Sequence, residues 1–248
     1  MLFLSIIGWA QEPLSPDWTT PAPIPDNGGS ATGNVGNNMG ILSSGKLLLI
    51  FTETNTSGVS RLYLTTTNDD GQTWTAPVLF PPATSLIGAY SPTVVVDQND
   101  VFHVILAAHG PVEGLYYTST SDSGATWSAP IRISDTVRYK IAYDFISTDR
   151  SGRLHAMWHD GDTDTDSLIA EVMYTRSLDG GLTWETPRRL SSDDGEHSAF
   201  PRADFTPSSG DTLVIAWRDA RPAGDDWDVY GAISYDGGAT WTEQLLAG

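Results

Sequence analysis

The chain has no cysteine. Disulfides, thiolate metal sites and thiol nucleophiles are excluded together. Positive charge is scarce: 13 Lys and Arg stand against 31 Asp and Glu, for a formal net charge of −18. Lysine is reduced to Lys46 and Lys140. A field of that sign repels phosphate backbones and anionic headgroups, so binding to nucleic acid or to a charged membrane surface is not expected. Long apolar runs are also missing. After the opening segment nothing is apolar for long enough to span a bilayer, and no stretch keeps a 3.6-residue period. What remains is a chain of 248 residues, an ordinary length for one all-β domain. Residues 1–10, Met1-Leu2-Phe3-Leu4-Ser5-Ile6-Ile7-Gly8-Trp9-Ala10, have the form of the apolar part of a short secretory signal. Gly8-Trp9-Ala10 supplies small-x-small before a cut at Gln11, so the expected location is outside the cell or on its surface.

One octet recurs. It runs Thr67-Asn68-Asp69-Asp70-Gly71-Gln72-Thr73-Trp74, then Thr120-Ser121-Asp122-Ser123-Gly124-Ala125-Thr126-Trp127. It returns as Ser177-Leu178-Asp179-Gly180-Gly181-Leu182-Thr183-Trp184 and Ser234-Tyr235-Asp236-Gly237-Gly238-Ala239-Thr240-Trp241. Each copy reads Ser/Thr-x-Asp-x-Gly-x-Thr-Trp, with a period of about 55 residues, which signals a repeat architecture. The chemistry is that of a turn: Asp accepts from nearby amides, and Gly supplies backbone freedom for a tight connection. Thr-Trp is then expected to open a strand, where β-branched and aromatic residues fit best. A large ring at the same point of every repeat suits a seam between units.

Between octets each repeat holds four strand-like runs separated by turn residues. They are expected at 38–42, 46–52, 61–67 and 74–80; at 91–96, 101–107, 114–119 and 127–133; at 142–148, 153–159, 169–176 and 184–190; and at 201–206, 212–217, 228–234 and 241–246. Four antiparallel strands per repeat, arrayed radially, describe the blade of a β-propeller. Upstream, Asp17-Trp18-Thr19-Thr20-Pro21-Ala22-Pro23-Ile24 matches the strand after each octet and falls in phase with it. The sequence therefore predicts an all-β propeller over residues 15–248, with four complete blades and an orphan N-terminal strand. Because propellers commonly close by letting one terminus complete the other's blade, the orphan strand leads to the expectation of a propeller that is C-terminally incomplete.

Octets in register, followed by Trp-x-x-Pro-type strands, resemble the Asp-box (bacterial neuraminidase) repeats of the sialidase superfamily, over about residues 15–248. The resemblance implies a six-bladed propeller, so the chain reads as short by about two units of that repeat. It also implies an arginine triad for a substrate carboxylate, an acidic proton donor, and a tyrosine nucleophile assisted by a glutamate. The run after the first arginine of the family is present, slightly altered, as Gly45-Lys46-Leu47-Leu48-Leu49-Ile50-Phe51-Thr52-Glu53. The arginine motif is not: Gly36-Asn37-Asn38-Met39-Gly40 stands there, with Asn37 at the expected arginine. The following loop, Thr54-Asn55-Thr56-Ser57-Gly58-Val59-Ser60, has no acid for the proton donor. Asn cannot pair bidentately with a carboxylate, so sialidase chemistry is not expected of this chain.

Propeller ligands meet the face around the channel, near the starts of the first strands and the ends of the second. On this register that face collects Asn37, Asn38, Glu53, Tyr90, His109, Tyr143, Asp144, His159, Asp160, Arg202, Arg218 and Asp219. Arg202, Arg218 and Arg221 could together hold an anion or a sugar acid, with a locally salt-bridged loop at Arg218-Asp219-Ala220-Arg221 and Arg202 as a rim residue preferred. Tyr143-Asp144 suggests an activated tyrosine, with a structural tyrosine preferred. Asp160, Asp162, Asp164 and Asp166, with Glu171 at the twelfth place, have the acid spacing of a calcium loop. Thr165 replaces the required glycine and no helices flank it, so a solvated acidic hairpin is preferred and no cofactor is expected. His103 and His155 occupy equivalent strand places, which favours packing. Three functions stay open: a secreted propeller that binds glycans or another extracellular partner without catalysis, a sialidase-type glycoside hydrolase, and a structural module of a larger surface protein.

Overall fold

The computed structural model describes residues 30–32, 38–54, 57, 60–86, 88–108, 113–135, 141–162, 168–204, 211–221 and 227–248. The strand around Trp18, the proposed signal and Asn37 lie outside the described residues.

Four separate antiparallel sheets follow one another along the chain. The first holds β1 (Ser30–Thr32), β2 (Met39–Ile41), β3 (Leu47–Thr54), β4 (Ser60–Thr67) and β5 (Val78–Leu79). The second is β6 (Tyr90–Val96), β7 (Phe102–Ala108), β8 (Gly114–Thr120) and β9 (Ile131–Arg132). The third is β10 (Ile141–Thr148), β11 (Leu154–Asp162), β12 (Leu168–Ser177) and β13 (Arg188–Arg189). The fourth is β14 (Ser198–Asp204), β15 (Leu213–Asp219), β16 (Asp228–Ser234) and β17 (Thr242–Ala247). Strands within a sheet pair in chain order, as in propeller blades. A 3-10 turn at Pro81–Ser85 joins the first two sheets, and among the described residues no helix is long and apolar enough to cross a membrane.

Burial explains the sequence pattern. β7 is apolar except for His103 and buried at every residue, because sheets pack on both of its faces. Leu48, Ile50, Leu62, Leu64 and Phe80 of the first sheet meet Val94, Phe102, Val104 and Leu106 of the second. Ile105, Leu115 and Tyr117 meet Ile146, Leu154 and Trp158 of the third, and Met157, Val172 and Tyr174 meet Ile215, Trp217 and Ala232 of the fourth. Burying rings as completely as Trp158 and Trp217 contributes on the order of 2–3 kcal/mol each. The second and third sheets thus use one face for the sheet before and the other for the sheet after.

Two expectations about strands need correction. Thr-Trp does not open a long strand: after each of the first three octets one residue bonds the third strand (Thr75 N to Thr66 O, Ser128 N to Ser119 O and Glu185 N to Arg176 O, each 2.9 Å), and the outer strand that follows is only two residues long. The ring is held by packing instead of a ladder. Only the last outer strand, β17, is long, at six residues. The first inner strand is also divided, with β2 pairing the near half of β3 and β1 the far half. The other inner strands carry a register shift near the corresponding place, at Tyr90/Thr93, Ala142/Phe145 and Ala199/Arg202.

The octets share one geometry. Asp122 Oδ1 accepts from Thr120 Oγ1 at 2.7 Å and from Thr126 N at 2.9 Å, and Oδ2 accepts from Thr126 Oγ1 at 2.6 Å. Thr120 Oγ1 in turn accepts from Gly124 N at 3.1 Å. The same bonds recur at Asp69, Asp179 and Asp236. The hydroxyl of Thr67, then that of Thr73, holds the Asp69 carboxyl at about 2. Thr126 leads at Asp122, also about 2, and Thr183 and Thr240 lower Asp179 and Asp236 in the same way. The fourth and fifth octet residues both have positive φ, for example 59° at Ser123 and 89° at Gly124.

This bent turn is pressed onto the preceding sheet. A Cβ on Gly181 would lie 2.1 Å from Tyr117 Oη, and one on Gly238 would lie 2.1 Å from Tyr174 Oη. One on Gly124 would lie 3.0 Å from Leu48 Cδ2. The carbonyl before each of these glycines accepts a bond from that sheet: Ser123 O from Lys46 Nζ at 2.8 Å, Gly180 O from Tyr117 Oη at 3.2 Å, Gly237 O from Arg176 Nη1 at 2.6 Å. The tryptophan lies over the same seat, with Trp184 5.1 Å from Tyr117, Trp241 5.0 Å from Tyr174, and Trp127 4.8 Å from Phe80. His103 and His155 are buried and place Nδ1 2.8 Å from the hydroxyls of Tyr117 and Tyr174, which fixes those rings.

Candidate functional site

The octets occupy one end of every sheet. The other end carries the register shifts, and there the backbone is unusual: Ser91 has φ 49° and Phe200 φ 60°. Such conformations cost about 1–3 kcal/mol in non-glycine residues and need support from their surroundings. At Phe200 the support is His159, buried in β11, whose Nδ1 accepts the Phe200 N–H at 3.1 Å and whose ring meets Phe200 edge-on at 5.4 Å. Burial, with His197 adding to it, drives His159 down to about 4, so the ring is neutral and able to accept. His197 does the same for β12, taking the Ala170 N–H at 2.9 Å. Both imidazoles fasten the third sheet to the fourth.

Asp144 sits at the shift in β10 and is fully enclosed. Its Oδ2 accepts from Thr93 Oγ1 of the second sheet at 3.2 Å, while Oδ1 is buried and no hydrogen bond to it is found among the described residues. Burial pushes the carboxyl up to about 7, against hydrogen bonds from Ser91 and Thr93 and the charge of Arg202. Tyr90 donates to the Ile141 carbonyl at 2.7 Å and closes the same corner. A carboxyl whose folded-state value stands above its unfolded one contributes stability that is complete below about 3.8 and lost as pH rises through about 7. Asp144→Asn should therefore gain on the parent as pH rises from 5 to 8, as read by the difference in Tm. A difference that stays flat with pH would show that this acid is already ionised in the fold.

The arginines are not all brought together. Arg221 is held by Asp219, by Asp194 at 2.9 Å and by Glu243, with its guanidinium 3.8 Å from the centre of the Tyr230 ring. It is a fastener within the fourth sheet and its junction with the third. Arg202 and Arg218 are exposed. They project from neighbouring strands of the fourth sheet, where Ala199 pairs with Arg218 and Arg202 with Ala216. Arg218 lies 4.7 Å from the ring of Trp227 and 5.4 Å from that of Phe200, and Arg202 lies 5.8 Å from that of Phe145. The result is a rim of two solvent-facing guanidiniums backed by aromatic rings.

The remaining sequence candidates divide. Glu53 and Asp160 are buried, and Glu171 is engaged by Ser191 Oγ at 2.5 Å and Arg189 Nη1 at 3.3 Å. The side chains of Tyr143 and Asp162, and the whole of His109, Asp164 and Asp166, lie outside the described residues. Among the described residues no group of three His, Asp or Glu side chains is placed to hold a metal. A cleft of about 340 Å³ on the first sheet is lined by Leu62, Leu79, Phe80 and Leu86, with Arg61 the one charged side chain among the described lining residues. The strained Ser91 and Phe200 were not anticipated: each precedes a proline, Pro92 and Pro201, which favours an extended conformation with negative φ instead.

No family model and no curated protein matches the sequence. Solved structures do match. A protein of unknown function from Dyadobacter fermentans aligns with a TM-score of 0.61 and 20% identity, covering 84% of this chain and 67% of its own. An ulvan lyase of polysaccharide lyase family 25 aligns with a TM-score of 0.61 and 15% identity, over 84% of this chain and 54% of the lyase. A Hadza microbial sialidase aligns with a TM-score of 0.55 and 19% identity, over 86% of this chain and 59% of the sialidase. The chain has a propeller fold. At these identities the likeness is one of fold, and this propeller spans little more than half the length of the lyase and the sialidase.

Proposed function

We propose that this propeller is an exported carbohydrate-binding module that holds acidic glycans at the rim carrying Arg202 and Arg218, without cleaving sialosides. One observation carries the reading: in a chain with 31 acids against 13 bases, two guanidiniums stand exposed and ring-backed at the channel end of one sheet. Guanidinium pairs bidentately with carboxylate, and aromatic faces suit the apolar side of a pyranose. Fold neighbours that are named for a polysaccharide lyase and a sialidase support a carbohydrate ligand. The absence of an acid from Thr54–Ser60, and Asn37 at the family's arginine, support binding without hydrolysis.

A glycan array comparing uronate- and sialate-bearing oligosaccharides with neutral ones tests this directly. Acidic glycans should be retained, and Arg218→Ala and Arg202→Ala should each weaken retention by roughly tenfold, as expected for one lost charge-assisted contact. Tm should stay within a degree or so of the parent for these exposed changes. Retention of neutral sugars alone, or indifference to both substitutions, would remove the acidic-glycan assignment. Release of fluorophore from a sialoside would remove the non-catalytic one.

A further inference from the structure

A buried acid of the third sheet lies beside an exposed base of the fourth. β10 packs against both β6 and β14, so the corner at Asp144 is closed by neighbours from two other sheets. Asp144 is 1% exposed. Thr93 Oγ1 lies 3.0 Å from its backbone carbonyl and 3.2 Å from its Oδ2, and among the described residues no bond to Oδ1 is found. A hydroxyl has one proton to give, and here two acceptors compete for it. Protonation of Asp144 resolves the conflict: Oδ2 then donates to Thr93 Oγ1, which donates to the carbonyl. An enclosed carboxylate with so few donors is costly, so the acid keeps its proton far above the usual range, to about 7.

Among the described residues, each element around this corner contributes little charge. Burial, then Asp144 and Glu113, push the phenol of Tyr90 in β6 upward, so that ring stays neutral. His159 of β11 is driven down to about 4 and is turned to Phe200. The end of β7 brings Ala107 and Ala108. Arg202 of β14 is the cation that favours ionised Asp144. Its guanidinium lies 5.8 Å from the ring of Phe145, the residue after Asp144, and its Nη1 donates to the Pro201 carbonyl at 2.8 Å. Arg202 therefore faces solvent and still senses the acid beneath it.

We infer that Asp144 regulates the rim by pH: protonated, it leaves the charge of Arg202 to an acidic glycan, and ionised, it offsets that charge. This regulation presupposes the acidic-glycan reading of the same site. As pH rises through about 7 the acid loses its proton, and an anion at Arg202 is held less tightly. The coupling is reciprocal, so a bound anion makes Asp144 keep its proton and binding near neutrality takes one up. Arg218, backed by Trp227 and Phe200, supplies the part of the affinity that pH leaves alone.

Calorimetric titration with a galacturonate trimer, whose carboxylates stay ionised between about pH 5.5 and about pH 8.5, reads the effect. Across that range the parent's affinity should fall on the order of fivefold. Asp144→Asn keeps the shape and cannot ionise, so it should hold the parent's low-pH affinity throughout. Arg218→Ala should bind more weakly at every pH and keep the parent's slope, whereas Arg202→Ala should lose the slope. Without ligand, carboxyl-carbon NMR, assigned with Asp144→Asn, should show the Asp144 midpoint rising in Arg202→Ala. A flat parent profile, a slope that survives in Asp144→Asn, or a midpoint that Arg202→Ala leaves unmoved each overturns the inference. A trimer bound at no pH removes the glycan reading and the regulation with it, and the NMR midpoint then shows separately whether acid and base are coupled.

Discussion

Gly181→Ala should destabilise the chain by about 3 kcal/mol, while Gly71→Ala should cost about 1 kcal/mol. Both glycines have the same role in the octet and nearly the same backbone, φ 94° and 84°. Both substitutions therefore carry the left-handed penalty of about 1 kcal/mol for an L-residue. Among the described residues, only the Gly181 methyl meets a close neighbour, the Tyr117 hydroxyl at 2.1 Å. That ring cannot swing aside, because His103 and the Gly180 carbonyl hold its oxygen and Trp184 packs on its face. Forcing atoms into such a site costs about 1–3 kcal/mol more. For a chain of this size the Gly181 variant should melt roughly 6–12 °C lower, and the Gly71 variant a few degrees lower. Equal shifts at the two positions would mean that the octet is only a turn and that the seam does not depend on it.

The second large effect is expected at Asp219. It is fully buried, and its carboxylate accepts from Ser198 Oγ at 2.8 Å, Trp217 Nε1 at 3.0 Å, and Arg221 through Nε at 2.8 Å and Nη2 at 2.7 Å. Burial alone would raise it, but Arg221, Ser198 and Trp217 outweigh burial and hold it below the usual range. Asp219→Ala leaves an indole N–H and a hydroxyl without their acceptor and removes one of three carboxylates around Arg221. Breaking a buried pair costs about 3–5 kcal/mol, and the low end applies because Arg221 keeps Asp194 and Glu243. A group lowered in the fold stabilises above its unfolded value and loses that contribution as pH falls through the folded one. The deficit of the alanine variant, measured by urea unfolding, should accordingly be full at neutral pH and shrink below about pH 4. A deficit under about 1 kcal/mol at neutral pH would place this carboxylate among ordinary surface ion pairs.

How much of this was legible in the residues depended on whether the governing contact was local. Asp-to-Gly spacing exposed the turn because, among the described residues, Asp69, Asp122, Asp179 and Asp236 bond within four positions of themselves. Second and third strands were placed to within a few residues, since β3 and β7 are largely apolar runs and β11 opens on one broken only by His155, each bounded by turn residues. The tryptophans misled at short range. Their preference for strands suggested a ladder, whereas their partners are Phe80, Tyr117 and Tyr174 on a neighbouring sheet, some tens of residues away. The arginines show how little adjacency in the chain says about direction. Arg218 and Arg221 are close in sequence, yet one projects into solvent over Trp227 and the other folds back onto Asp219 and Tyr230. Nothing local in Asp144 announces a carboxyl near 7; that value comes from an enclosure completed by the second sheet.

The octets and their seats gather at one end of every sheet, while the register shifts and the exposed arginines lie at the other. The octet clasps thus stand at the pole opposite the proposed binding rim, which has fasteners of its own in His159, His197 and Asp144. Loops at the arginine pole can lengthen, shorten or change chemistry without loosening a clasp, so the scaffold is open to new ligands by loop exchange alone.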